Sequence, residues 1–117
     1  MTSRSFAPTE IAMLTKILSQ SARASDYLAQ IENLVVEPID DVGSLRLVPK
    51  QVSSKAWPQR HRFIDCKGVL IDSDGIPILI CPFEDEDGML CMLDVQKMGG
   101  GRIGVTLNVD QMRIEEV

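Results

Sequence analysis

Apolar positions along this chain of 117 residues recur with two different periods. Between Ile11 and Leu18 they recur at helical spacing, after Pro8, a residue well suited to a first helical turn. A second helix is expected to begin near Asp26, with Ser25 as its cap. One or two helices are therefore predicted within about residues 8–33.

From residue 34 onward the pattern becomes that of β-strands. Leu34–Glu37 and Ser44–Val48 flank a turn at 40–43, which predicts a first hairpin. Ile103–Val109 also has strand composition, and the tail after it is undecided between a short strand and irregular chain. The sheet is expected over about residues 34–109.

The stretch Phe63–Lys97 holds three apolar runs joined by the turns Asp72–Gly75 and Asp85–Gly88. It predicts an antiparallel meander. Each turn fits either a type I turn with a bulge at its glycine or a two-residue Asp-Gly loop, and the two alternatives differ in register. Together with the helices, the strands predict an α+β fold with an antiparallel sheet of four to six strands.

Apolar residues occupy both alternating sets of positions in Ile76–Cys81 and in Met89–Val95. In the second run, Leu90 and Met92 are expected on the face opposite Leu93. A half-exposed antiparallel sheet would alternate apolar with polar residues, so both faces of this sheet are predicted to be covered. The helices can cover one face, and the long loop, the C-terminal segment or another copy of the chain can cover the other.

Composition narrows the class of protein. A length of 117 residues predicts a single domain spanning 1–117. The net charge of −5 disfavours nucleic acid and anionic membranes as partners, and no uninterrupted apolar stretch is long enough to span a bilayer. Cys66, Cys81 and Cys91 lie in apolar runs without a CxxC pair, which favours buried free thiols and a cytoplasmic location.

A long irregular segment at about 49–62 is the one locally basic stretch of this acidic chain. Trp57, Arg60 and Arg62 are its candidate protein-contact residues, because tryptophan and arginine dominate interface hot spots. Packing of Trp57 over the sheet is the equally weighted alternative. One aromatic residue and a short basic run are a weak signal for single-stranded nucleic acid.

The chain offers no catalytic, cofactor or metal signature. The carboxylates of the two acidic turns resemble fragments of a calcium loop, but no bidentate glutamate follows them, so they predict hairpin turns. An enzyme alternative would draw on His61, the sole histidine, together with Glu37, Asp40 and Asp41. We therefore assign no catalytic residue, no cofactor and no metal ligand.

Two motifs resemble an uncharacterised bacterial family whose domain has no known function. The first, V-E-P-hydrophobic-D-D…G-S-L, corresponds to Val36–Leu45; the second, D-x-D-G-x-P…G-x-L-x-x-L-D-x-x-K, corresponds to Asp72–Lys97. The resemblance extends to about Met98 and departs at Gln96, where the family often has tryptophan. It implies a helix-plus-antiparallel-sheet domain and no activity.

These observations predict a non-enzymatic protein-interaction module that associates with itself through an apolar sheet face. A homodimer is its most concrete form. The alternatives are an immunity-type protein that binds a toxin, an analogy at the level of the fold, and the enzyme described above.

Overall fold

The computed structural model describes residues 3–51, 60–104 and 107–117. Trp57 lies outside the described residues. Within them the chain forms two α-helices, seven β-strands and one short 3-10 helix. In chain order these are α1 (Pro8–Leu18), α2 (Ala24–Ile31), β1 (Leu34–Pro38), β2 (Leu45–Pro49), β3 (His61–Phe63), β4 (Cys66–Ile71), β5 (Pro77–Asp85), β6 (Leu90–Lys97), the 3-10 helix (Val109–Gln111) and β7 (Arg113–Glu116).

Helix α1 begins without the usual capping side chain, because Ala7 stands at its N-cap. The carboxylate of Glu10 compensates by accepting the backbone N–H of Ala7 at 2.7 Å, and it also pairs with Arg4 at 2.8 Å. The backbone of Arg4 in turn exchanges hydrogen bonds of 2.9 and 2.8 Å with Val36 of β1. The segment before α1 is thus fixed to the edge of the sheet.

The strands form one antiparallel sheet in the order β1-β2-β6-β5-β4-β7. Strand β3 also pairs with β5, beyond the N-terminal end of β4. This confirms the α+β class with N-terminal helices on an antiparallel sheet of mostly meander order. The described residues contain seven strands rather than four to six, because the short β3 and β7 add to the sheet. Strand β7 extends the sheet beyond residue 109, its predicted limit. Strand β3 begins at His61, within the segment 49–62 that was predicted to be a loop.

One face of the sheet, which we call the helix face, carries the main hydrophobic core. Leu14, Ile17 and Leu18 of α1 and Tyr27 of α2 are buried there against apolar side chains of β1, β2, β4, β5 and β6. Apolar side chains of the segment after β6 pack on the same core, namely Ile103, Leu107 and Val109. Both the helices and the C-terminal segment therefore cover the helix face.

Both acidic turns adopt the first of the two predicted forms, a type I turn with a bulge at its glycine. In the β4–β5 turn, Gly75 N–H donates to Asp72 O at 2.9 Å and Asp72 N–H donates to Ile76 O at 3.0 Å. The β5–β6 turn repeats this pattern between 85 and 89. Gly75 and Gly88 have φ of 82° and 80°, so each is the left-handed residue of a bulge that follows a type I turn.

The opposite side of the sheet, which we call the outer face, combines apolar and charged side chains. Strand pairing places Phe63, Phe83 and Met92 on this face beside Arg46 and Glu37. Some of its apolar side chains are buried, such as Val48, Val69 and Cys81. The apolar character predicted for a second face is therefore present, interleaved with charges.

The prediction that Leu90 shares a face with Met92 is wrong. A β-bulge in the β5–β6 ladder pairs Glu84 with Leu90 and Phe83 with Met92, which leaves Cys91 as the extra residue. The bulge turns Leu90 into the helix-face core together with Leu93. Period-two alternation fails at such a point because one strand gains a residue.

The predicted strand at Ile103–Val109 is also not observed at its described positions. Gly104 N–H donates to the carboxylate of Asp72 at 2.9 and 3.0 Å instead of joining a ladder, and Val109 begins the 3-10 helix. A side-chain acceptor has replaced strand pairing here. No helix of the described residues is long and apolar enough to cross a membrane.

Candidate functional site

Strand β3 presents a small aromatic patch on the outer face, formed by His61, Phe63 and Phe83. The rings of Phe63 and Phe83 have centroids 4.5 Å apart, and the His61 ring meets Phe83 edge-on at 5.4 Å. Phe63 is nevertheless 55% exposed. Exposure of a large aromatic side chain that is already stacked in place is typical of a contact surface.

Buried charge on the other side of β3 holds this strand in position. The carboxylate of Glu84 accepts the Tyr27 hydroxyl at 2.5 Å and Arg62 Nε at 2.8 Å. Arg23 reaches the same carboxylate at 3.2 Å and lies over the Tyr27 ring. Glu84 thereby joins α2, β3 and β5, and the patch projects from a fixed backbone.

The pKa values of this network follow from burial and from these partners. Burial opposes ionisation of Glu84, but hydrogen bonds from Tyr27 and Arg62 and the charges of Arg62 and Arg23 outweigh it and lower its pKa. Burial, followed by the hydrogen bond to Glu84, raises the pKa of Tyr27 to about 12. At neutral pH the tyrosine donates and the glutamate accepts, as the geometry requires.

A cavity of about 270 Å³ opens beside the patch, lined by Arg60, His61, Arg62, Asp85 and Glu86. Its lining places Arg62 of β3, and Arg60 just before that strand, near carboxylates of the β5–β6 turn. Arg60 and Glu86 make no ion pair within the described residues. At the rim of the patch, Arg60 and Glu86 thus supply one cation and one anion without an ion-pair partner in the part of the chain that the structure describes.

The residues of the enzyme alternative are not brought together. Glu37 and Phe63 stand at opposite ends of a row of paired residues that crosses β1, β2, β6, β5 and β3. Four inter-strand steps of about 4.8 Å separate them by roughly 19 Å, and His61 lies beside Phe63. Glu37 pairs with Arg46 at 3.5 Å, and Asp40 accepts the N–H groups of its own turn. Asp41 lies in that same turn, so Glu37, Asp40 and Asp41 are all too far from His61 to share a proton with it.

The two aspartates of the β4–β5 turn, Asp72 and Asp74, share Lys97 as their cation. Lys97 Nζ lies 2.9 Å from an Asp72 oxygen and 2.5 Å from an Asp74 oxygen, and it also donates to Arg102 O at 2.9 Å. The N–H of Gly104, followed by Lys97, lowers the pKa of Asp72 to about 2. Among the described residues, no group of three or more histidine, cysteine or acidic side chains is arranged to hold a metal ion.

All three cysteines are buried free thiols, as their apolar surroundings predict. Cys66 Sγ donates to Ile17 O at 3.0 Å, and burial, with the charge of Asp65, raises its pKa to about 11. A thiol with so high a pKa is protonated at neutral pH and is a poor nucleophile.

The sequence had indicated Arg60 and Arg62 as contact residues, and the structure places both beside the aromatic patch. Phe63 and Phe83 are not among the residues that the sequence indicated, because each lies in an apolar run of the predicted meander. The two phenylalanines lie side by side because β3 pairs with β5, and this contact can be inferred only once the register of the two strands is known.

A family model for a domain of unknown function, DUF6984, matches residues 3–107. The chain belongs to this family. No curated protein and no solved structure is similar enough to this domain to count as a match. Membership therefore confirms the resemblance to a family whose domain has no known function, and it brings with it no activity.

The motif residues of the resemblance meet in the structure of this DUF6984 domain. Asp72, Asp74 and Lys97 of the second motif form one ion cluster. Ser44 of the first motif accepts Val95 N–H at 2.9 Å, next to Asp94 of the second. The two motifs thus join the β1–β2 turn, the β4–β5 turn and the end of β6.

Proposed function

We propose that this domain is a non-enzymatic protein-interaction module that forms a homodimer through the aromatic patch and its charged rim. The observation that carries the proposal is Phe63, which is stacked on Phe83 yet 55% exposed, on the face that the helices leave uncovered. Such a side chain gains most by burial against another protein surface.

The charges around the patch favour a second copy as its partner. A twofold interface brings the same surface of both molecules together, so a self-binding patch must be complementary to itself. Arg60 lies on the same rim as Glu86. Rotation about a twofold axis would set Arg60 of one copy against Glu86 of the other.

The other functions considered have less support. The enzyme alternative lacks a site that combines His61 with Glu37, Asp40 or Asp41. The immunity-type alternative is supported by the net charge of −5 and by an analogy at the level of the fold, and neither selects a partner.

Sedimentation velocity at micromolar concentration tests the proposal. A species of twice the chain mass of 13.0 kDa is expected. Exchange of the charges at Arg60 and Glu86 then tests how the two copies are oriented in the dimer. Arg60→Glu and Glu86→Arg should each weaken the dimer, and the two changes together should restore it. A monomer over the whole concentration range would overturn the proposal.

A further inference from the structure

A second cavity, of about 530 Å³, lies between the β1–β2 turn and the segment after β6. It is independent of the aromatic patch and of the proposed dimer. Its volume falls within the range of about 300–1,000 Å³ that is usual for small-molecule sites. Its described lining consists of Asp41, Val42, Gly101, Arg102, Ile103 and Leu107.

Buried polar groups fix the first wall of this cavity. Lys97 and Asp72, with side chains 8% and 0% exposed, form an ion pair beneath the loop. Lys97 Nζ donates to Arg102 O at 2.9 Å, and the Asp72 carboxylate accepts Gly104 N–H at 2.9 Å. A buried ion pair is a weak source of stability compared with apolar packing, so its clearest consequence here is the position of Arg102 and its neighbours.

The opposite wall is fixed in a similar way. One carboxylate oxygen of Asp40 accepts the N–H groups of Val42, Gly43 and Ser44 at 3.0–3.1 Å. The Ser44 hydroxyl in turn accepts Val95 N–H at 2.9 Å, which joins the turn to β6. Hydrogen bonds thus hold the described walls of the cavity in place without a ligand, and binding requires little ordering of them.

The described part of the lining combines one cation, one anion and three apolar side chains. Arg102 and Asp41 make no ion pair within the described residues. A guanidinium binds a carboxylate through two parallel hydrogen bonds, and a carboxylate binds an ammonium group. Val42, Ile103 and Leu107 offer apolar surface to the rest of a ligand.

From this set we infer that the cavity binds an α-amino acid with an apolar side chain. Arg102 would hold its carboxylate, Asp41 its ammonium group, and the apolar residues its side chain. A phosphate ester would meet the unfavourable charge of Asp41, whereas a zwitterion uses both charges of the site.

Titration of the ¹⁵N-labelled domain with L-norleucine tests the inference. We expect saturable shifts of the Gly101 and Gly104 amide signals. N-acetyl-L-norleucine, which lacks the ammonium group, and L-norleucine amide, which lacks the carboxylate, should each bind at least about tenfold more weakly.

Two variants with matched chemistry complete the experiment. Arg102→Gln should weaken L-norleucine binding at least about tenfold, because the charge-assisted bonds to the carboxylate are lost. Arg113→Gln, which changes an arginine of β7 paired with Glu115, should leave binding unchanged. Absence of saturable shifts, equal binding of the acetylated or amidated compound, or unchanged binding by Arg102→Gln would each overturn the inference.

Discussion

Replacement of Phe63 by serine is the most direct test of the proposed interface. Phe63 is 55% exposed, and a phenylalanine side chain offers roughly 200 Å² in all, so about 110 Å² is available for burial. At about 25 cal/mol per Å², burial of that area stabilises the complex by about 2.7 kcal/mol per copy. Both copies of a twofold dimer contribute one Phe63, so Phe63→Ser should remove up to about 5 kcal/mol.

That loss of binding free energy is large enough to detect by sedimentation velocity. A micromolar dimer has a binding free energy of about −8 kcal/mol, so a loss of about 5 kcal/mol moves its Kd toward the millimolar range or beyond. Sedimentation velocity at roughly 1–100 µM would then show the variant as a monomer and the unchanged protein as a dimer.

The matched control is Ile11→Ser. Ile11 is 42% exposed and lies on α1, which covers the other side of the sheet. This change removes a comparable apolar surface away from the patch, so dimer formation should persist. Circular dichroism checks that both variants remain folded. If Phe63→Ser associates as the unchanged protein does, or if Ile11→Ser disrupts the dimer equally, the patch is not the interface.

Four further predictions concern stability and titration. Gly68→Ala should destabilise the fold by about 1–3 kcal/mol in urea unfolding, because its Cβ would lie 2.4 Å from the buried Met112 sulfur; unchanged stability would contradict this. Asp72 has a folded pKa of about 2, below its usual 3.8, so the stability it contributes is present above about pH 4 and is lost as pH falls toward 2. Asp72→Asn should therefore show a weaker dependence of stability on pH over that range, and an unaltered dependence would refute the assignment. The phenolate absorbance of Tyr27, the sole tyrosine, should appear near pH 12 in the folded protein; because this pKa is raised, its contribution to stability is lost as pH rises from about 10 through 12. The buried Cys66 thiol should resist an aromatic disulfide reagent at pH 8 until the protein unfolds.

Local rules accounted for much of the fold. Helical spacing located α1, and the strand patterns on either side of the turn at 40–43 located the β1–β2 hairpin. Paired Asp and Gly residues at 72–75 and 85–88 marked the turns of the meander, since a glycine at positive φ is needed to rejoin the strands. These features depend on a few neighbouring residues, which is why the sequence alone revealed them.

The errors occurred where a distant group replaced the local rule. Gly104 donates to the Asp72 carboxylate rather than to a strand, so Ile103–Val109 is not extended into the sheet at its described positions. A single extra residue at the β5–β6 bulge moved Leu90 to the core. Strand composition reports neither event, because both depend on partners many residues away.

The sequence by itself determined the class of fold, the order of α1, α2, β1, β2, β4, β5 and β6, the turns between these strands, and the buried state of Cys66, Cys81 and Cys91. Only the tertiary structure decided which face each apolar residue joins, that Phe63 stacks on Phe83 while remaining exposed, and that Lys97 meets Asp72 beneath a cavity. The physical reason is register. Spacing along the chain determines whether a segment is a helix or a strand, whereas pairing between strands determines which side chains share a surface.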